Sequence, residues 1–117
     1  MNRANENFLD RKNRAILKIK EDFLSEDKES TVKRYVEHHL EELNEKYWEK
    51  YLGTKKPTPI NVLNILVLRD NWDTEDEESD LENFEVYDFT LPGEVTDYVI
   101  GIIFDSNDTI IEVSMDS

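Results

Sequence analysis

A chain of 117 residues with 38% hydrophobic residues, 10% aromatics and no cysteine can build one core, and it excludes disulfides and thiolate metal sites. Its net charge of −14 argues against direct nucleic-acid binding, because such binders need basic patches that displace counterions from phosphate. The opening residues MNRANENFLDRKNRAILKIK lack the apolar run of a signal peptide, and no segment approaches the roughly 20 apolar residues of a membrane span, so a cytoplasmic protein without membrane contact is expected.

Read in chain order, ENFLDRKNRAILKIKEDFLS places Phe8, Leu9, Ile16, Ile19, Phe23 and Leu24 near one side at helical spacing. A helix is expected over about 5–24, with Asn5 as its N-cap. SEDKES is a polar connection ending in Ser30, a second N-cap candidate. Beyond it, Val32, Tyr35, Val36, Leu40, Leu43, Tyr47, Tyr51 and Leu52 predict one helix over 31–52, closed by Gly53.

Pro57 and Pro59 in TKKPTP read as helix breakers, and the β-branched and aliphatic INVLNILVLRD that follows suits a strand covered on both faces. NFEVYDFTL alternates, with Phe84 and Val86 on one side, Tyr87 and Phe89 on the other, and Asp88 as an interruption. LPGE is a turn, and VTDYVIGIIFDSNDTIIEVSM reads as two strands about a DSND turn. Tyr98, Ile100, Ile102 and Phe104 would share a face, with Ile111, Val113 and Met115 as their core partners. The expected fold is α+β in one domain over 1–117, with a helical part at 5–52 and a sheet part at 60–116. Two N-terminal helices would pack on a four-stranded, mainly antiparallel sheet.

Charge divides the same chain in two. Residues 1–69 hold all 14 Lys and Arg with 12 Asp and Glu, whereas residues 70–117 hold 16 Asp and Glu with no Lys or Arg. Solubility asks only for interspersed signs, so this segregation points to a cationic partner that the field would attract and orient. The acidic segment DNWDTEDEESDLE contains Trp72, a large apolar ring that either folds back on the sheet or anchors an interface.

No enzyme is expected. His38 and His39 are sequence neighbours and point about 100° apart on a helix, so they form no i, i+4 metal clamp; either one with Glu42 makes only a two-ligand fragment. The acidic segment and DSNDTIIE lack the glycine and ligand register of an EF-hand. With 3 glycines in the chain there is neither a phosphate-binding loop nor a nucleophile elbow, and no cofactor is expected. Trp48, with Tyr47 and Tyr51, reads as core.

The end of the chain, LPGEVTDYVIGIIFDSNDTIIEVSMDS, resembles a family of small, largely uncharacterised bacterial cytosolic proteins with a DYVI…FD…I…SM pattern. That resemblance covers Leu91 to Ser117 and extends loosely back to Ile60. As a short, acidic α+β chain without catalytic residues, the protein also resembles the immunity proteins of bacterial toxin–immunity systems, including contact-dependent growth inhibition. The resemblance implies a protein that neutralises one cognate toxin domain, often a nuclease with a basic substrate cleft.

The residues expected to meet such a toxin come from this sequence alone: Asp70, Trp72, Asp73, Glu75, Asp76, Glu77, Glu78, Asp80 and Glu82. Two further readings are a nucleic-acid mimic that inhibits a DNA-processing enzyme, and a metal-dependent hydrolase built on His38, Glu42 and distant carboxylates.

Overall fold

The computed structural model describes residues 3–27, 30–73 and 84–116, with side chains described from Phe8 onward except that of Asp73. Four helices precede a four-stranded sheet: α1 (Arg3–Leu24), α2 (Thr31–Glu42), α3 (Glu45–Leu52) and α4 (Pro59–Asn64), then β1 (Val67–Asp73), β2 (Glu85–Thr90), β3 (Val99–Phe104) and β4 (Ile110–Asp116). Every neighbouring pair of strands is antiparallel and the spatial order is β1-β2-β3-β4, a meander. The α+β class and the antiparallel sheet are as expected, with four helices in place of two.

α1 already runs from Arg3, so Asn5 lies inside it and is not its N-cap. Phe8, Ala15, Ile16, Ile19 and Phe23 face the core, but Leu9 and Leu24, each one residue past an inward aromatic, are turned into solvent. The single helix expected over 31–52 is two. Leu43 takes an extended conformation, and the Asn44 side chain accepts the Tyr47 N–H, capping a new helix inside an unbroken apolar repeat. α3 then buries Tyr47 and Trp48 and ends on Gly53 in the left-handed region at φ 69°, as expected for that glycine.

INVLN is helix, not strand. Thr58 and Asn61 cap one another reciprocally, and Pro59 occupies the first helical turn, where its missing N–H costs nothing. The sheet therefore begins at Val67, and β1 is an edge strand that is not covered on both faces.

The core lies between the helices and one side of the sheet, where Tyr87, Phe89, Ile100, Ile102 and Phe104 meet Ala15, Ile19, Val32, Tyr35, Val36 and Trp48. Ile111 is 50% exposed, contrary to its expected place in that core. A bulge explains it: Ile103 pairs with Glu112 while Phe104 pairs with Ile110, so Ile111 is the extra residue and Ile110 turns inward in its place. Tyr98 precedes β3 and stays partly exposed, while its carbonyl accepts from the Tyr35 and Thr90 hydroxyls.

Two polar assemblies lock the layers. Arg11 of α1 pairs with Glu85 at 2.7 Å and with Asp108 at 2.6 Å; Arg14 pairs with Asp108 at 2.9 Å; and both guanidinium groups lie over the Phe104 ring. Asp108 sits at φ 65° in the β3–β4 turn, a conformation that Asp tolerates better than most residues. At the other end, the Leu91–Tyr98 loop is tied to α2 and α3. Tyr35 Oη accepts the Leu91 N–H, His39 meets Thr96, and Tyr47 donates to the Pro92 carbonyl. Gly93 is required in that loop: it has φ 90°, and a Cβ there would lie 2.5 Å from Tyr51 Oη.

Candidate functional site

The sheet has a second side, opposite the core, and the strand registers determine what it displays. Trp72 pairs with Val86, Val86 with Ile103 and Ile103 with Glu112, forming one row across all four strands. The next row is Asp70, Asp88, Gly101 and Ser114, and beyond it Val99 pairs with Asp116. Because side chains alternate at period two and the odd-numbered β2 residues Tyr87 and Phe89 fill the core, these rows point away from the helices. Val86 in the first row is buried, so Trp72 is the exposed apolar member beside the carboxylate row, a pairing in which a ring can exclude water while acids orient a cation.

Trp72 is 44% exposed, and its indole N–H donates to Asp88 Oδ2 at 2.8 Å. The ring therefore neither folds into the core nor stands unsupported; it is fixed on the open face by its polar edge. Asp88, the residue expected to interrupt β2, is instead the outward position between Tyr87 and Phe89. Burial holds its carboxyl above the ordinary Asp range; the Trp72 N–H and the charge of Arg69 oppose that shift, and neighbouring Asp70 and Asp116 reinforce it.

Asp70 accepts the Asn71 N–H, and Asp116 accepts from the Ser114 hydroxyl at 3.0 Å. Among the described residues, Asp70, Asp88, Asp97, Glu112 and Asp116 form no ion pair, in contrast to Glu85 and Asp108. A shallow recess lined by Arg69, Asp70, Asp88, Asp97, Val99 and Asp116 opens on this side.

Of the residues expected at the interface, Asp70 and Trp72 share the outward rows of strand β1, whereas Asp73, paired with Glu85 at the end of that strand, is out of phase with them. Glu75, Asp76, Glu77, Glu78, Asp80 and Glu82 lie outside the described residues. Sequence reasoning missed Asp88, Asp97 and Asp116, whose signal was an acid at an outward position of a strand or beside one.

The histidines are separated by environment. His39 is 1% exposed; its Nδ1–H donates to the Tyr35 carbonyl at 2.7 Å and its Nε2 accepts from Thr96 Oγ1 at 2.8 Å. Burial lowers its pKa, so the neutral ring is the folded form, with both nitrogens already used within the fold. His38 is on the surface with its ring edge-on to Tyr98. Among the described residues, no group of three or more His, Asp or Glu is arranged to hold a metal ion.

No family model, curated protein or solved structure matches this chain. Among the described residues, no helix is long and apolar enough to cross a membrane.

Proposed function

We propose that this protein is a cytoplasmic immunity protein that binds and neutralises a cognate basic toxin domain, with a nuclease as the favoured target. The observation that carries this reading is the open sheet face, where an aromatic anchor held by Asp88 stands among carboxylates that have no ion-pair partner among the described residues. A cationic surface brought against that face gains steering from the whole field and a desolvated contact at the indole. A nuclease cleft has the matching chemistry, because carboxylates can occupy positions where phosphates would bind.

The segregated charge supports the same reading from a second direction. Arg11 and Arg14 neutralise Glu85 and Asp108 where the sheet meets α1, so part of the acidic surplus is structural. The carboxylates of the open face take no part in that clamp, so holding α1 to the sheet does not account for them.

The test is capture of partners by the tagged protein from its native cells at low and moderate salt, followed by co-expression of the captured domain. A single basic domain retained in stoichiometric amount, toxic alone and harmless with this protein, is the expected result. Many basic proteins that all wash off together as salt rises would overturn the reading.

A further inference from the structure

We infer that the group this open face takes from its cationic partner is an arginine guanidinium, stacked on the exposed indole of Trp72 and paired with the carboxylates of Asp88 and Asp70. The inference rests on the inhibitor reading above and gives it a specific contact.

Among the described residues, the helices pack on the opposite side of the sheet and leave Trp72 and Asp70 exposed on this one. On it, Asp88 is oriented and only half engaged: Oδ2 receives the indole N–H, whereas Oδ1 has no hydrogen-bond donor among the described residues. Oδ1 lies over Gly101, where a Cβ would come within 3.1 Å of it and within 2.7 Å of Ser114 Oγ. Only glycine at that central-strand position lets both polar side chains lie across it.

Asp70 pairs directly with Asp88 across the antiparallel ladder. Directly opposed positions put Cβ atoms about 4.5–5.5 Å apart, so the two carboxylates repel each other and lie within the span of one forked donor group. Arg69 lines the same recess and its charge acts on Asp88 from a distance, but it forms no ion pair among the described residues, so neither carboxylate is directly bonded to a cation of this chain.

The aromatic ring selects between cations. A guanidinium is planar, carries five N–H donors in a fixed fork, is weakly hydrated and stacks on an indole face while its edge bonds carboxylates. An ammonium is a compact, strongly hydrated charge and gains less from the ring.

The test uses the isotope-labelled full chain titrated with N-acetyl-arginine methylamide, its lysine counterpart and the neutral citrulline counterpart at equal ionic strength, followed by NMR. The expected result is a saturable shift of the Trp72 indole N–H and the Gly101 and Ser114 amides with arginine. Lysine should bind at least about threefold more weakly, and citrulline should give no response. Asp88→Asn and Trp72→Leu, each with its amide spectrum otherwise retained, should weaken the arginine response.

Equal responses to arginine and lysine, or shifts as large at Glu37 and Glu41 of α2 as on the sheet, would overturn the inference. A captured partner that still binds Trp72→Leu and Asp88→Asn at full strength would overturn this contact while leaving the inhibitor reading intact. Failure of capture and of growth rescue would remove the reading itself.

Discussion

The indole N–H of Trp72 on the edge strand donates to the carboxylate of Asp88 on its neighbour at 2.8 Å, so the exposed aromatic ring and the acidic row of the sheet form one unit. Neither residue is placed for the benefit of the core. The ring stays partly in water, and the carboxyl is held above its ordinary pKa by burial and by neighbouring acids.

That arrangement predicts that Asp88 lowers fold stability. A carboxyl whose folded pKa lies above its unfolded value opposes folding once it is ionised, and the penalty disappears below the unfolded value. Asp88→Asn keeps an acceptor for the indole and removes the charge, so it should be more stable than the parent at pH 7 in urea unfolding. The gap should close as pH falls through the folded pKa towards the ordinary Asp range. A variant less stable at neutral pH would contradict the assignment.

His39 gives the opposite signature. Its folded pKa is lowered, first by burial and further by His38, with the Tyr35 carbonyl and Glu42 opposing. The unfolded chain therefore binds its proton more readily, and the stability from the neutral ring is complete above about pH 6.5 and declines as pH falls below it. His39→Gln should flatten the stability profile between pH 7.5 and 5.5 relative to the parent; a profile of unchanged slope would count against the buried neutral ring.

Tyr35 tests how the Leu91–Tyr98 loop is anchored. Its hydroxyl accepts the buried Leu91 N–H and donates to the Tyr98 carbonyl, so Tyr35→Phe strands an amide that water cannot reach. Urea unfolding should show a loss of about 1–3 kcal/mol. Tyr98→Phe, at a partly exposed ring, should cost within about 0.5 kcal/mol.

Arg11 joins the two electrostatic halves of the chain. Arg11→Met removes ion pairs to Glu85 and Asp108 and leaves the partly buried Glu85 without that partner, while Asp108 remains paired with Arg14. A destabilisation of about 1–2 kcal/mol, shrinking as salt is added, is expected from denaturation at two ionic strengths. A salt-independent loss would mean that packing on Phe104 carries the contact.

The sheet was legible where alternation was strong. VIGIIF and EVYDFT became β3 and β2, with Ile100, Ile102 and Phe104 inward as expected and Tyr87 and Phe89 sharing one side of β2. The misreadings arose where a polar residue overrode an apolar pattern. Asn44 capped a new helix within a continuous repeat, and Thr58 with Asn61 turned INVLN, aliphatic enough for a strand, into a capped helical turn. The bulge that expels Ile111 has no sequence marker, because it follows from turn geometry at the β3–β4 junction. For the site, Trp72 among acids was visible in the sequence, whereas Asp88 and Asp116 join it only through strand register, a long-range property that no local window contains.

The central claim is neutralisation of a basic toxin domain, and the most direct measurement is growth of cells that express the captured basic domain with and without this protein. The account predicts arrest by the domain alone, recovery when the protein is present, and loss of recovery when Asp73, Glu75, Asp76 and Glu78 are changed to Lys together with Trp72→Leu and Asp88→Asn. Growth unaffected by the domain, or arrest that the intact protein does not relieve, would contradict it.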